Sequence, residues 1–329
     1  MTTHGVQPYE QVGFLALAGE ADRAVLLGRD ALAAAVAAGD AVSELMLRHV
    51  VGMALSQLRQ YDSALAELDA AAALGERRPR VVCSLRDILV QRPVGQEKHD
   101  ERAVTRLNAS FDAVVMHADP AFATLEESFH PATPLRVPVH YTGFVAPPAT
   151  APADLPLARL IVSSGGGMVG EPLVRAAVEV HRDLFIRTGL RTTVVAGPFL
   201  PGPVWEWLQE QARRSPVLDA VRRVDDLAAE IGRSALSLSQ GGYNTTMDLL
   251  RAGTPAVVVP YADGTEDEQT RRTTRLAELG ALRMLPATEL DRLLGELVAA
   301  ASSTPTPVPL NLSGAEDTAR ILSAEVAVR

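Results

Sequence analysis

The pattern of apolar and polar positions divides the chain into a helical part and a part in which strands alternate with helices. Residues 7–75 carry apolar residues at helical spacing and predict four helices. The stretches 13–36 and 52–74 share one order: an apolar helix, a short polar turn and an Ala-rich amphipathic helix. Ala24 and Ala64 occupy equivalent places in the two stretches. The first part of the chain therefore reads as a helical pair that occurs twice.

This repeat resembles a pair of tetratricopeptide-type helical hairpins, in which small residues allow helices to pack closely. About three such repeats are needed to bury a continuous core. We therefore expect the helical segment to pack on the rest of the chain or on a protein partner.

From residue 80 onward, short apolar strands alternate with helices. Strands are predicted at 80–85, 111–117 and 135–143, with a loop at 86–102 and a helix at 103–111 between the first two. The Pro- and Ala-rich stretch 146–156 has no periodicity and is predicted to be an inter-domain hinge.

Beyond the hinge the alternation is regular, which implies a parallel sheet with a ligand at the carboxyl ends of its strands. The predicted fold class is α/β, with Rossmann-type parallel sheets preceded by an all-α segment. A last helix is predicted after residue 313, far enough from the sheet to return across the hinge. The predicted domains are a helical segment at 1–78, a partial α/β domain at 79–148, a Rossmann-like domain at 149–310 and a C-terminal helix at 311–329.

The most informative stretch, residues 237–269, reads as strand, glycine turn, helix, strand and acidic loop. Gly241 and Gly242 turn the backbone tightly. The next helix begins at Asn244, Thr245 and Thr246. A helix start attracts phosphate through its unpaired N–H groups and partial positive charge. Asp248, one turn into that helix, is either an exposed helix carboxylate or an acceptor for hydroxyl groups of a sugar or ribose, and its position beside the glycine turn favours ribose binding. The pattern favours a ligand with an anionic end and a hydroxyl-rich end, such as a nucleotide-sugar.

A second glycine turn follows another buried strand. Its residues are Ser163, Ser164, Gly165, Gly166 and Gly167. The turn is either a diphosphate cradle or an ordinary strand-to-helix connection, and it lacks the spaced glycines of dinucleotide-binding folds. Two such turns on one sheet favour phosphate binding.

Other candidate residues follow strands. Glu268 and Gln269 either form the acidic start of a helix or bind the hydroxyl groups of a sugar, and we favour sugar binding. The backbone at Val224 is placed to contact a nucleobase edge. His117 and Asp119, at the end of a strand, are candidates for acid–base catalysis. The seven histidines form no metal-binding spacing, so no metal or cofactor is expected.

Composition narrows the possible partners and compartments. The net charge of −9 argues against nucleic acid as the main partner. The single cysteine, Cys83, excludes an intrachain disulfide and fits a reducing compartment. There is no signal-peptide pattern and no apolar run of the roughly 18 residues that span a bilayer. We therefore expect a cytoplasmic protein without a transmembrane segment.

Together these residues resemble the GT-B glycosyltransferases, in particular MurG-type N-acetylglucosaminyltransferases and related predicted glycosyltransferases, over residues 80–329. The resemblance implies that the turn at Ser163–Gly167 holds the donor, that Asp248 holds its ribose and that Val224 meets its uracil. It also implies that Gln269, with Glu268 beside it, meets the donor sugar. The implied reaction transfers a sugar from a UDP-sugar with inversion, without metal, to an acceptor that the sequence does not identify.

One departure from the family leaves the function open. The family's N-terminal domain begins with a strand and a Gly-rich, His-bearing loop that helps to bind acceptor, whereas the first 75 residues here are helical. A non-catalytic nucleotide-sugar-binding protein and a nucleotide-sugar epimerase therefore remain alternatives.

Overall fold

The computed structural model describes residues 7–74, 80–91, 94–148, 157–262 and 267–327. The four predicted N-terminal helices are confirmed, at α1 (Pro8–Leu17), α2 (Ala21–Ala38), α3 (Ala41–Gln57) and α4 (Tyr61–Ala72). Each packs on the next, and α1 also contacts α3. Small residues allow this packing, since a Cβ added at Gly28 would lie 2.4 Å from Val51 Cγ2. The assignment to the tetratricopeptide class stays a prediction.

The next unit contains a parallel sheet of three described strands in the order β1-β2-β3. They are β1 (Val82–Arg86), β2 (Ala113–His117) and β3 (Val139–Tyr141), and α5 (Gln96–Ser110) joins β1 to β2. The prediction that this helix starts at residue 103 is wrong, because it begins seven residues earlier. The first two turns of α5 are polar, and Asp100 is buried there as an acceptor for Gln96 Nε2 at 2.6 Å and His130 N at 3.0 Å. Such a turn shows no apolar periodicity.

The C-terminal unit contains a parallel sheet of six described strands in the order β6-β5-β4-β7-β8-β9. The strands are β4 (Leu157–Ser163), β5 (Arg191–Val195), β6 (Leu218–Val221), β7 (Ser234–Ser239), β8 (Ala256–Val258) and β9 (Arg283–Met284). The helices are α6 (Glu171–Thr188), α7 (Gly202–Arg213), α8 (Leu227–Gly232), α9 (Tyr243–Ala252), α10 (Glu268–Glu278), α11 (Leu293–Ala301) and α12 (Gly314–Ala327). The α/β class with a helical segment in front is confirmed.

The strand order places a topological switch at β4 and β7. The chain runs outward from β4 through β5 to β6, and then outward on the other side from β7 through β8 to β9. The connections after β4 and β7 therefore diverge and leave a crevice at the carboxyl ends of these two strands, where open α/β sheets bind ligands. Ser163 and Ser239, the last residues of β4 and β7, are paired in register.

The two sheets share one hydrophobic core. Ile161 of β4 and Met247 of α9 belong to the same buried cluster as Met116, Phe122 and Phe144 of the preceding unit. Continuous apolar packing therefore fixes the two units against each other.

The C-terminal segment returns to the first sheet, as the sequence predicts. Phe144 N donates to Asn311 O at 2.7 Å, and Gly314 N donates to Phe144 O at 2.9 Å. Gly143, with a φ of 76°, allows this approach, because a Cβ there would lie 2.4 Å from Asn311 Cγ. Most of the predicted hinge, residues 149–156, lies outside the described residues. Within the described part of the chain, every helix is too short or too polar to cross a membrane.

Candidate functional site

The structure brings the two predicted glycine turns together at the crevice. Gln240, which follows β7, donates from its backbone N to Ser163 O at 3.4 Å and from Nε2 to Val169 O at 3.3 Å. The turn after β4 and the turn after β7 are thus neighbours, connected by hydrogen bonds from a single residue.

In the first turn the serines and glycines have different tasks. Ser164 Oγ donates to Ala196 O at 2.8 Å, and Ser163 Oγ accepts from Gly165 N at 3.3 Å, so both hydroxyls support the turn itself. Gly167 is required by its φ of 88° and by Ala196 O, which would lie 2.5 Å from an added Cβ. Gly165 is exposed and a Cβ there would meet nothing within 4 Å, so space in front of the backbone is free.

The second turn leads into α9, whose N-cap residue Gly242 provides no side-chain cap. A Cβ added at Gly242 would meet nothing within 4 Å, whereas one at Gly241 would lie 2.5 Å from Thr273 Cγ2 of α10. Gly241 therefore allows α10 to pack, and Gly242 leaves the start of α9 open. An uncapped helix start offers N–H groups and a partial positive charge to an anion.

The side chains at the start of α9 differ in their availability. The Thr246 hydroxyl donates back to Gly242 O at 3.1 Å and Tyr243 O at 2.8 Å, and Thr245 is nearly buried. Asn244 is exposed. The structure therefore offers backbone N–H groups and Asn244 here, while the Thr246 hydroxyl hydrogen is already used by the helix.

A buried hydroxyl lies directly below the crevice. Ser239 is fully buried, and its Oγ has no hydrogen-bond partner within the described structure. A buried polar group without a partner is costly, so such groups commonly contact a ligand or an ordered water molecule. Its register partner Ser163 bears the first glycine turn.

Asp248 is a half-buried carboxylate that makes no hydrogen bond or ion pair with the described residues. Burial, with a further contribution from the charge of Asp226, raises its pKa to about 6. Asp226 caps α8, where it accepts from Ala229 N at 2.9 Å. Asp226 lies two residues after Val224, so the segment that contains Val224 passes near Asp248.

Glu268 and Gln269 are the first two residues of α10 rather than the end of a loop. Glu268 pairs with Arg272, with 2.5 Å between Oε2 and Nη2, and burial nevertheless raises the pKa of Glu268. Gln269 Oε1 accepts from Tyr261 N at 3.0 Å. Gln269 O would lie 3.3 Å from a Cβ at Gly241, so this helix start adjoins the second glycine turn.

His117 and Asp119 lie at the end of β2, and both already have partners. The His117 ring contacts Ser84 Oγ through Nε2 at 2.8 Å and Thr142 Oγ1 through Nδ1 at 2.9 Å, and burial lowers its pKa. Asp119 accepts from Ala121 N at 2.9 Å and from Asn311 N at 3.0 Å, and thereby holds the C-terminal segment. Their catalytic role stays a prediction.

Two residues that the sequence did not indicate connect the crevice to the first sheet. Arg272 of α10 is 1% exposed and forms a two-pronged ion pair with the buried Asp87, with Nε–Oδ2 at 2.6 Å and Nη2–Oδ1 at 2.7 Å. The Tyr243 hydroxyl, at the start of α9, donates to His117 O and accepts from Val145 N, both at 3.1 Å. Burial raises the pKa of Tyr243 to about 12, so the hydroxyl stays protonated.

Part of the C-terminal unit is similar in sequence to a known protein family. Residues 173–310 match the glycosyltransferase family 28 C-terminal domain. The match covers less than half of the chain. It includes Val224, the second glycine turn, Asp248, Glu268 and Gln269, and it begins after the first glycine turn.

Curated relatives share parts of this unit. Two are UDP-N-acetylglucosamine--N-acetylmuramyl-(pentapeptide) pyrophosphoryl-undecaprenol N-acetylglucosamine transferases. The Rhodospirillum centenum protein is 28% identical over 171 residues, which are 50% of this chain and 44% of that protein. The Methylococcus capsulatus protein is 33% identical over 70 residues, which are 21% of this chain and 20% of that protein. The chain thus spans less than half the length of each.

Among solved structures, the spinosyn rhamnosyltransferase SpnG aligns with a TM-score of 0.46 and 16% identity, over 99% of this chain and 78% of that chain.

Proposed function

We propose that this protein is a glycosyltransferase that binds a nucleoside-diphosphate sugar in the crevice between β4 and β7. The observation that carries the proposal is the pairing of two open glycine turns at the topological switch, with the unpaired Asp248 one helical turn away. The match of residues 173–310 to a glycosyltransferase domain supports the same conclusion. The family resemblance favours a UDP-linked donor and an inverting reaction.

The site suggests how such a donor would lie. The diphosphate would contact the free backbone at Gly165 and Gly242, where an added Cβ would meet no protein atom. The ribose hydroxyls would donate to the Asp248 carboxylate, and the base would extend towards Val224. The sugar would lie towards Glu268 and Gln269, at the start of α10.

The proposed chemistry consists of positioning and electrostatic stabilisation. Negative charge develops on the departing diphosphate, and the uncapped start of α9 would stabilise it with N–H groups that are already oriented. We propose that these N–H groups take the place of a divalent cation. Activity that persists in EDTA and does not rise with Mg²⁺ is the expected result.

A second candidate is a nucleotide-sugar-binding protein without transferase activity. The observation that favours it is the engagement of the two predicted acid–base residues, since both His117 ring nitrogens and both Asp119 oxygens already have partners.

Calorimetric titration of the wild-type protein with UDP, dTDP and GDP tests the donor site. Selective binding of one nucleotide is expected, with affinity reduced by about tenfold or more in Asp248→Asn, because hydrogen bonds to charged groups contribute about 1.5–3 kcal/mol. Asp183→Asn, an exposed aspartate on α6, is the matched control and should bind as the wild type does. The absence of binding for all three nucleotides would overturn the proposal.

Incubation with the sugar derivative of the selected nucleotide then separates the candidates. Transfer to an acceptor from a lipid, glycan and small-molecule panel indicates the transferase. Tight binding with the donor left intact indicates the binding protein. Release of the nucleoside diphosphate together with an isomerised sugar indicates an epimerase.

A further inference from the structure

Arg272 lies fully buried where the two α/β units meet, and its guanidinium group contacts several parts of the candidate site. Nη1 donates to Gly241 O at 2.9 Å, in the second glycine turn. Nη2 lies 2.5 Å from Glu268 Oε2, at the start of α10. The guanidinium carbon lies 5.7 Å from the ring centroid of Tyr243, the first residue of α9.

The orientation of this guanidinium group is set from the other unit. Asp87 follows β1 of the first sheet, is fully buried and accepts hydrogen bonds from both Nε and Nη2 of Arg272. Paired hydrogen bonds to a carboxylate fix the plane of a guanidinium group, which a lysine ammonium group cannot reproduce. Asp87 therefore determines where Nη1 points, and so where the carbonyl of Gly241 is held.

The same contacts control the charge of Glu268. Burial raises the pKa of this carboxyl group, and the positive charge of Arg272 opposes that effect. If the guanidinium group is removed, Glu268 is left half-buried without its cation. A protonated Glu268 would present a hydroxyl group to the crevice in place of an acceptor oxygen.

We propose that Asp87 and Arg272 are positioning residues that set Gly241 and Glu268 for the diphosphate–sugar end of the donor. The first sheet thereby contributes to recognition of the sugar without touching it. This inference rests on the proposed function, because it assigns the donor to the crevice.

A neighbouring arginine provides the matched control. Arg275, one turn further along α10, also connects this helix to the first unit, by donating to Phe122 O at 2.6 Å and pairing with Glu127. It contacts neither Gly241 nor Glu268 in the described structure. Loss of Arg275 therefore weakens docking of the two units without the proposed positioning effect.

The test compares two kinds of ligand, one that samples a single end of the site and one that samples the whole of it. The nucleoside monophosphate of the selected base samples the Val224–Asp248 end, and its diphospho-glucose and diphospho-N-acetylglucosamine derivatives sample the whole site. In Asp87→Asn and Arg272→Lys we expect the affinity for the bound sugar derivative to fall about tenfold or more, with less than about a threefold change for the monophosphate. Arg275→Lys should change neither affinity by more than about threefold.

A double variant keeps the test independent of folding. Asp87→Leu/Arg272→Met replaces the buried ion pair by apolar side chains of similar size, a change that proteins often tolerate. It should fold, as judged by circular dichroism and thermal melting, and still lose the sugar derivative selectively.

Equal losses for both ligands, or no loss for either, would overturn the positioning role while leaving the donor site intact. The same conclusion follows if the wild-type protein binds the sugar derivatives no more tightly than the diphosphate, because Glu268 would then contribute nothing to recognition. A wild-type protein that binds no nucleotide would overturn the proposed function, and this inference with it.

Discussion

Asp248 of α9 lies near enough to Asp226, the N-cap residue of α8, for the charge of Asp226 to act on the Asp248 carboxyl group. Asp226 caps α8 by accepting from Ala229 N at 2.9 Å, whereas Asp248 has no partner among the described residues. Burial and the charge of Asp226 raise the pKa of Asp248 to about 6. Folding therefore carries an electrostatic cost at neutral pH, as is common where a charged group is kept for binding.

This cost predicts the pH dependence of stability. Because the folded pKa of Asp248 exceeds its unfolded value of about 3.9, the folded state binds more protons between pH 4 and 6, and the unfolding free energy falls as pH rises through that range. Asp248→Asn removes this effect. Because solvent screens this half-exposed group, only part of the shift counts, and the unfolding free energy at pH 7.5 should rise by about 1–2 kcal/mol. Urea unfolding from pH 4 to 8 measures it. A variant with the wild-type slope would show that Asp248 does not titrate as described.

Nucleotide affinity should follow the same carboxyl group with the opposite sign. Ribose hydroxyls donate to ionised Asp248, so affinity is expected to be constant above about pH 7 and to fall by up to about tenfold per pH unit below 6. Calorimetry with the selected nucleotide between pH 5 and 8 checks this. In Asp248→Asn the weaker affinity should lose this pH dependence, while Asp183→Asn should retain it.

Because the space beside Gly242 is open, we predict that a substitution there weakens ligand binding and has little effect on stability. Gly242 has a φ of −62°, which any residue adopts, and an added Cβ meets no atom within 4 Å. Gly242→Ala should therefore change the unfolding free energy by less than about 1 kcal/mol but weaken diphosphate binding, because the methyl group occupies the crevice. Gly202→Ala, at the start of α7 and equally open, is the control and should leave binding unchanged.

Gly167 should show the reverse behaviour. Its φ of 88° and the 2.5 Å approach of Ala196 O to an added Cβ make alanine strained and crowded at this position. Gly167→Ala should lower the unfolding free energy by about 2–4 kcal/mol, as measured by chemical denaturation. Gly165 also has a positive φ, of 59°, but an added Cβ there would meet free space. If Gly167→Ala loses no more stability than Gly165→Ala, the close contact at Gly167 is contradicted.

The buried pair of Arg272 and Asp87 makes a separate prediction for stability. Arg272→Met alone leaves Asp87 buried without its cation and should cost about 3–5 kcal/mol, whereas Asp87→Leu/Arg272→Met should recover most of the loss. A double-mutant cycle in urea measures the coupling. Additive losses would show that the two side chains stabilise the fold independently.

The C-terminal sheet was predictable because each of its elements carries a local signal. Buried parallel strands read as short apolar runs, and α6 and α9 end at Gly189 and Gly253, both with positive φ. The two glycine turns, each directly after a strand, then predicted where the crevice lies. By contrast, α5 begins in a polar stretch whose buried residue, Asp100, is itself polar, so no apolar periodicity marks its start.

Long-range polar contacts were not predictable in the same way. Asp87 and Arg272 are separated by 185 positions, and in a polar run such as that of α10 an arginine is ordinarily assigned to the surface. Nothing local distinguishes Arg272 from Arg271 and Arg275, which are partly exposed. The two units must be docked before its partner is known, so this part of the site is visible only in three dimensions.

The return of the C-terminal segment to Phe144 has a mechanical consequence. The chain leaves the first unit after Val145 and re-enters it at Asn311, and the bridge between Val145 and Ser313 holds these two crossings side by side. The two crossings therefore lie together and act as one connection, which adds to the apolar core that the units share. A substitution that breaks the bridge at Val145 and Ser313 would loosen both crossings at once.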